Sequence, residues 1–185
     1  QSDNGMISLK EVHVPGTITT GTYSQLTELL GYPKSRFPST INPISPSCLN
    51  EGVSIAPKNK VSCEYLEYDA YEYIRVGDSV QLVFSDLRKA TTPIYIDDMV
   101  ISSQITQKQF LSEITKKGWW SGKQNQYKVG GMDFHYYTHA RVKNIGIDYK
   151  ENPYSSVVFT FYDCLFDKKI WWIEFPIMRI GGIVH

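Results

Sequence analysis

Two ten-residue segments share one sequence pattern, and this pattern limits the possible fold more than any other feature of the chain. "TYSQLTELLG" begins at Thr22 and "TQKQFLSEIT" begins at Thr106, and in each a Gln follows the Thr by three residues and precedes a large apolar residue. This spacing is typical of a capping box, in which Thr and Gln side chains bond backbone N–H groups where a helix begins. We therefore predict two short helices that end at Gly31 and Gly118. Their predicted apolar faces are Tyr23, Leu26, Leu29 and Leu30 in the first, and Phe110, Leu111 and Ile114 in the second.

The strand-like segments that follow each helix also recur. "SVQLVFSD" at residues 79–86 matches "SVVFTFYD" at residues 156–163 in Ser, Val, Phe and Asp, and "IYID" before residue 98 matches "WWIE" before residue 175. An internal duplication explains these matches, although any two amphipathic hairpins share some likeness. We predict an α+β fold of two tandem units, residues 6–101 and 102–185, each with one short helix packed on antiparallel strands.

Alternating apolar and polar residues locate the strands, and turn-forming residues separate them. "VGDS" at residues 76–79 and "FDKK" at residues 166–169 are the predicted turns, and residues 32–60 and 118–131 are the predicted long loops. The predicted strands cover residues 64–76, 79–87, 94–101, 134–141, 142–149, 157–165 and 170–178.

Composition and motifs exclude several classes of function. The formal net charge is zero, so a broad nucleic-acid-binding surface is not expected. No apolar run approaches the roughly 20 residues that a membrane-spanning helix needs. Nucleophile-elbow and phosphate-binding glycine motifs are also missing from the sequence. We predict that the chain is not an enzyme and uses no cofactor and no metal ion.

The spacing of His135 and His139 would suit a metal on a helix, but the segment "DFHYYTHARV" alternates and indicates a strand. On a strand these two residues share a face yet lie about 13 Å apart, so a joint metal site is not expected. A thiol–imidazole pair of Cys164 with either histidine has no local support.

Carboxylates could suggest a glycosidase-type pair. Asp86 and Asp163 each precede a predicted turn, so turn capping is the favoured interpretation over catalysis. Turn capping is likewise the favoured interpretation over catalysis for Asp97, Asp98 and Glu174. Asp86, Asp163 or His139 in a cleft between the units remains the lowest-ranked, enzymatic alternative.

Aromatic residues are abundant, with thirteen Tyr, eight Phe and four Trp. Such side chains are typical of protein interfaces. In "YLEYDAYEY" a continuous strand would place Tyr65, Glu67, Asp69, Tyr71 and Tyr73 on one face, and Leu66, Tyr68, Ala70, Glu72 and Ile74 on the other. The alternative is that these tyrosines pack under loops with their hydroxyls bonded. The candidate partner-binding anchors are Trp119, Trp120, Tyr127 and Tyr71.

The phrase "LTELLGYP" followed by aromatic hairpins resembles the tandem helix-plus-sheet architecture of the β-lactamase inhibitor protein family. It is also similar to small outer-membrane assembly lipoproteins and to bacterial immunity proteins. These resemblances imply a role in protein binding or inhibition. No specific motif of those families is shared, so they imply no contact residues.

We therefore expect an immunity-type or inhibitor protein, located in the cytoplasm, that neutralises a toxin or enzyme by occluding it. It is expected to bind another protein, no nucleic acid, and to insert into no membrane. The alternative is an exported, periplasmic or envelope-anchored lipoprotein module, which would have an oxidised Cys48–Cys63 pair. Residues 1–5 have two possible origins, a tag remnant before Met6 or the start of a mature exported chain.

Overall fold

A computed structural model describes residues 12–41, 61–117, 125–129, 133–143, 154–164 and 167–175. These residues form two helices and twelve strands with an α+β architecture. The helices are α1 (Tyr23–Leu30) and α2 (Gln107–Lys117). The strands are β1 (Val12–His13), β2 (Thr20–Thr22), β3 (Ser35–Ile41), β4 (Val61–Glu67), β5 (Tyr71–Val76), β6 (Ser79–Asp86), β7 (Ile94–Ile96), β8 (Met99–Ile101), β9 (Asn125–Val129), β10 (Asp133–Lys143), β11 (Tyr154–Cys164) and β12 (Asp167–Glu174).

A large antiparallel sheet forms the frame of the described part of the chain. Its strand order is β3-β4-β5-β6-β12-β11-β10-β9, and β2 also pairs with β6. β6 pairs with β5 along one edge and with both β2 and β12 along the other edge. β1, β7 and β8 form a separate three-stranded sheet. β6 and β12 therefore join the two predicted units in a single sheet.

The large sheet is covered by apolar side chains on both faces. Leu26 of α1 and Phe110 of α2 belong to the main core, together with Tyr73 of β5. Ile74 follows Tyr73 in the same strand and belongs to a second, smaller cluster that includes Cys63. Because neighbouring residues of a strand point to opposite faces, both helices pack on one face and the smaller cluster lies on the other.

Both predicted capping boxes are confirmed. The Thr22 N–H donates to Gln25 Oε1 at 2.9 Å, and the Gln25 N–H donates to Thr22 Oγ1 at 3.1 Å. Thr106 and Gln109 form the same reciprocal pair at 3.0 and 3.2 Å. Gly31 ends α1 with a φ of 76°, a backbone conformation that other residues rarely adopt.

The predicted apolar face of α2 is confirmed, because Phe110 and Ile114 are fully buried and Leu111 packs beside them. The prediction for α1 is wrong at one residue. Leu26 is buried, but Leu29 is 51% exposed. An eight-residue helix presents only a narrow stripe to the sheet, and Leu29 lies beyond the edge of that stripe.

The prediction of one strand over residues 64–76 is wrong. The chain turns back after Glu67, where the Tyr68 N–H donates to the Tyr71 carbonyl at 2.8 Å. β4 and β5 thereby form a hairpin in which Glu67 and Glu72 are direct partners. A register shift between Glu72 and Tyr73 also interrupts the alternation of faces along β5.

Two other strand boundaries differ from prediction. Residues 94–101 form the β7–β8 hairpin, in which Asp97 adopts a φ of 57° that aspartate tolerates better than most residues. Residues 134–143 belong to one continuous strand, since β10 pairs with β11 along its whole length. The predicted turn at residues 76–79 is confirmed, with Gly77 at a φ of 59° between β5 and β6.

Three predicted loops or turns contain strands. β3 lies within the loop predicted at residues 32–60, and its Pro38 is tolerated because β3 is an edge strand. β9 lies within the loop predicted at residues 118–131. β12 begins at Asp167, inside the turn predicted at residues 166–169, and pairs from there with β11.

The internal duplication and the division at residues 101 and 102 stay predictions. The segment matched at residues 94–97 contributes β7 to the small sheet, whereas its counterpart at residues 171–174 belongs to β12 in the large sheet. Equivalent sequences therefore occupy different positions in the two sheets.

Candidate functional site

Of the four predicted anchors, Tyr71 alone has a described side chain. Trp119 and Trp120 lie outside the described residues. The backbone of Tyr127 belongs to β9, at one edge of the large sheet, while its side chain is outside the described part. Tyr71 lies on β5, half-buried against the main core. A joint site of these four side chains therefore stays a prediction.

The described carboxylates that were considered as catalytic alternatives have structural roles. Asp86 ends β6, and its Oδ1 accepts the Arg88 N–H at 3.0 Å, which confirms turn capping. Asp97 and Asp98 form the turn of the small sheet, apart from Asp86 in the large sheet. Among the described residues no group of three or more His, Cys, Asp or Glu is arranged to hold a metal ion.

The histidine and cysteine predictions are only partly described. His135 and His139 lie on β10, as the strand interpretation predicted, but their side chains are outside the described part. Cys63 is a buried free thiol, and burial raises its pKa. Cys48, the suggested partner of Cys63, lies outside the described residues.

One site that the sequence did not predict is an exposed apolar corner where α1 leads into β3. We define the apolar corner as Leu29, Tyr32 and Phe37, whose exposed fractions are 51%, 82% and 52%. Among the described residues only Val100 is a further large apolar side chain with comparable exposure. Phe37 is the cross-strand partner of Tyr65, which packs on the smaller cluster, so Phe37 points to the face opposite the helices and Leu29 lies on the helix side. The apolar corner therefore exposes apolar side chains on both sides of the β3 edge, and several exposed apolar residues at one place often indicate a binding surface.

Hydrogen bonds hold the backbone of the apolar corner to the sheet. The Gly31 N–H donates to the Thr27 carbonyl at 2.8 Å, and the Tyr68 hydroxyl donates to the Gly31 carbonyl at 3.0 Å. The Lys34 N–H donates to the carbonyl of Glu67 in β4 at 2.8 Å. The exposed side chains are thus presented from a backbone that is fixed at both ends.

A charged and aromatic cluster lies beside the corner on the helix side of the sheet. The Arg36 guanidinium donates to both carboxylate oxygens of Glu64, at 2.7 and 3.0 Å, and lies 5.6 Å from the centre of the Tyr23 ring. Arg75 lies over the same ring at 3.8 Å. The bond from Arg36 lowers the pKa of Glu64.

An open cleft of about 180 Å³ lies on the opposite side of Lys34, between the β4–β5 turn and β6. We call it the acidic cleft, because four of the residues that line it carry carboxylates and two are lysines. The carboxylates are Glu67, Asp69, Glu72 and Asp86, and the lysines are Lys34 and Lys89. Phe84 supplies an aromatic wall, and as the cross-strand partner of Glu72 it shares the face of that side chain.

The carboxylates of the acidic cleft differ in their partners. Asp69 accepts a hydrogen bond from the Lys34 ammonium at 2.8 Å, and Asp86 forms an ion pair with Arg88 at 2.8 Å. Within the part of the chain that the structure describes, the carboxylates of Glu67 and Glu72 form no hydrogen bond or ion pair. Burial raises the pKa of Glu72, and the neighbouring charge of Glu67 raises that pKa further.

The sequence interpretation placed Glu67 and Glu72 on opposite faces, which is wrong. The same error affected Tyr73, which is fully buried and whose hydroxyl bonds Thr17 Oγ1 at 2.7 Å and the Ile18 carbonyl at 2.6 Å. The turn at residues 68–70 reverses the chain, and only cross-strand pairing then places the two glutamates side by side. An aspartate inside "EYDAYE" was the one local signal for that turn.

Glu72 offers a test of this arrangement through pH. Because the folded chain raises the pKa of Glu72, its ionised form disfavours the fold above that pKa, and the penalty disappears as pH falls towards the ordinary value of 4.5. Glu72→Gln should raise the free energy of unfolding at pH 7 by up to about 1 kcal/mol, the scale of a direct like-charge pair. Urea denaturation at pH 7 and pH 3.5 would measure this difference.

Glu64 provides the matched control of opposite sign. Its pKa is lowered by Arg36, so its stabilising effect is present above pH 4.5 and is lost as pH falls through the lowered pKa. Glu64→Gln should therefore destabilise the fold at pH 7. If Glu72→Gln were destabilising at pH 7 as well, the unfavourable Glu67–Glu72 contact would be refuted.

No protein-family profile, curated protein or solved structure matches this chain in the comparisons. Among the described residues, no helix is both long enough and apolar enough to span a membrane.

Proposed function

We propose that this chain is a non-enzymatic protein-binding module of the immunity or inhibitor type, which neutralises a toxin or enzyme by occluding it. The apolar corner carries this proposal. Occlusion requires a shaped surface with a few apolar anchors and no titrating catalytic group. Leu29, Tyr32 and Phe37 can supply such anchors to a partner that contacts the β3 edge from both faces, because they are exposed on a backbone bonded to the sheet.

The position of the apolar corner supports the proposal further. Among the described strands β3 is the outermost one at this side of the large sheet, so a partner can approach it without meeting another described strand. Pro38 lies within β3 and cannot donate a backbone hydrogen bond, which disfavours extension of the sheet by a partner strand. Side chains, rather than backbone pairing, would then make the contact. Trp119, Trp120, Tyr127 and Tyr71 remain candidate anchors of the same proposal.

We also propose that the protein acts in the cytoplasm and that residues 6–101 and 102–185 are duplicated units. Two capping boxes with the same Thr and Gln spacing support the duplication. The free thiol of Cys63 is compatible with a reducing compartment.

Site-specific photo-crosslinking tests the binding role. A photoreactive phenylalanine analogue at Tyr32 or Phe37 should crosslink one discrete protein in cells that express the chain naturally. The same analogue at Val100, which is 49% exposed but lies in the small sheet, should not. Mass spectrometry would identify the crosslinked protein, and the complex would be reconstituted from purified components.

In the reconstituted complex, Tyr32→Ser combined with Phe37→Ser should raise the Kd by about 30-fold or more, the scale of lost interface anchors. Val100→Ser serves as the control and should leave the Kd unchanged. Crosslinks of equal intensity at all three positions, or binding unaffected by the double substitution, would contradict the proposed role of the corner.

A further inference from the structure

β3 differs from the strand beside it because neither of its faces is covered. In β4, Leu66 on the helix side and Cys63 on the opposite side are both buried. In β3, every residue of the range 36–40 is exposed. Because neighbouring residues of a strand point to opposite faces, this unbroken exposure leaves both faces of β3 open. β3 therefore projects from the described part of the sheet as an edge that is one strand, or about 5 Å, deep.

The two faces of this projecting edge carry different side chains. Phe37 supplies a half-exposed aromatic ring on the face opposite the helices. Arg36 lies on the helix side, because its cross-strand partner Leu66 belongs to the main core. One face of the edge is therefore apolar, and the other carries a cation, with Leu29 of α1 exposed on the same side.

The guanidinium of Arg36 has donors left for a second carboxylate. Its Nε and Nη2 donate to Glu64 at 2.7 and 3.0 Å, and within the described part of the chain its Nη1 makes no hydrogen bond. The Arg36 side chain is 46% exposed and that of Glu64 is 25% exposed, so the cation is the outer member of the pair. A guanidinium has five N–H donors in a fixed plane that matches carboxylate geometry. A partner can therefore add a carboxylate to Arg36 while the bond to Glu64 persists.

The shape of the edge decides how a partner can contact both faces. A flat surface laid on one face would reach either Phe37 or Leu29, and the other would stay in solvent. A partner strand paired along the edge is disfavoured by Pro38, which has no backbone N–H to donate. Walls on both sides of β3 would reach both faces at once, and two such walls form a cleft.

We infer that β3 inserts into a cleft of the partner protein, with an apolar wall against Phe37 and a carboxylate-bearing wall against Arg36. This inference rests on the proposed function, because it specifies the shape and chemistry of the partner at the same surface. Small-molecule and cofactor sites of proteins are concave. Filling such a cleft with β3 would occlude the partner directly.

Bulky substitutions on the two faces test insertion in the reconstituted complex. Ser39 and Thr40 are exposed neighbours on opposite faces of β3, so Ser39→Tyr and Thr40→Tyr each add a ring to one face. Each variant should raise the Kd by about tenfold or more, because a cleft encloses both faces. Ser112→Tyr, at an exposed position of α2, is the control and should leave the Kd unchanged. Urea denaturation would verify that all three variants are folded.

A second pair of variants tests the carboxylate-bearing wall. Arg36→Gln should raise the Kd by about tenfold. Glu64→Gln is the matched control, because it breaks the same internal pair but keeps the guanidinium, and it should not raise the Kd. Equal losses of affinity in these two variants would overturn the assignment of a partner carboxylate to Arg36.

The same measurements separate failure of insertion from failure of the proposed function. If Tyr32→Ser with Phe37→Ser weakens the complex while only one of the two bulky variants does, or neither does, the binding role stands and insertion is overturned. If no protein crosslinks to the apolar corner, the proposed function fails, and the inference fails with it.

Discussion

Replacing Phe110 with alanine should lower the free energy of unfolding by about 3–5 kcal/mol, the range for a fully buried aromatic ring. Phe110 has no exposed surface, and its ring centre lies 4.4 Å from that of Phe159 and 5.5 Å from that of Phe161. These rings belong to β11, so Phe110 packs α2 against the sheet. Its removal leaves a cavity that the short helix cannot close.

Urea or thermal denaturation of the variant would measure this loss. Leu29→Ala is the matched control, because it also shortens an apolar helix residue but at a site that is 51% exposed. Its expected effect is below about 0.5 kcal/mol, as for other surface substitutions. Comparable losses in the two variants would show that α2 does not depend on the packing of Phe110.

Replacing Asp86 with alanine should cost about 2–3 kcal/mol, since the buried carboxylate accepts hydrogen bonds from a charged group. Its side chain is 7% exposed and bonds the backbone and the guanidinium of Arg88. Asp69→Ala is the control, because the ion pair of Asp69 with Lys34 lies at the surface and is 81% exposed on the Asp69 side. Exposed pairs contribute little, so that variant should be nearly neutral.

The effect of Asp86 should also depend on pH. Burial acts to raise the pKa of Asp86, but the hydrogen bonds from Arg88 outweigh burial and lower it below its ordinary 3.8. The stabilising contribution is therefore present above pH 3.8 and is lost as pH falls through the lowered pKa. The stability difference between wild type and Asp86→Ala, measured by denaturation at pH 7 and at steps below pH 3.8, should therefore shrink as pH falls. A constant difference would mean that the ionised carboxylate is not responsible.

Features that depend on neighbours in sequence were predicted well. The capping boxes at Thr22 and Thr106 and the turn at Gly77 each need only a few consecutive residues. The interactions that form them therefore lie within the sequence pattern that predicts them. The strand boundaries depended on distant partners. β3 exists because β4 pairs with it, and the register shift near Tyr73 depends on the course of β6.

The candidate site could be predicted less well for the same reason. Tyrosine enrichment indicated an interface, but exposure is decided by packing, and packing buried Tyr73 while it left Tyr32 in solvent. The pairing of Glu67 with Glu72 depends on a turn that one aspartate signalled weakly. Apolar residues on a short helix were assigned to the core by period alone, which is how Leu29 was misplaced.

The shared edge of β6 has a consequence for the order in which the protein can fold during synthesis. β2 covers only the start of that edge, and β12 pairs with its end at Phe84, Ser85 and Asp86. On the ribosome, therefore, no described strand covers the end of β6 on that side until residues 167–174 have been made. An open strand edge invites pairing with other chains. The late arrival of β12 thus makes the nascent first half dependent on the last described strand for protection against aggregation.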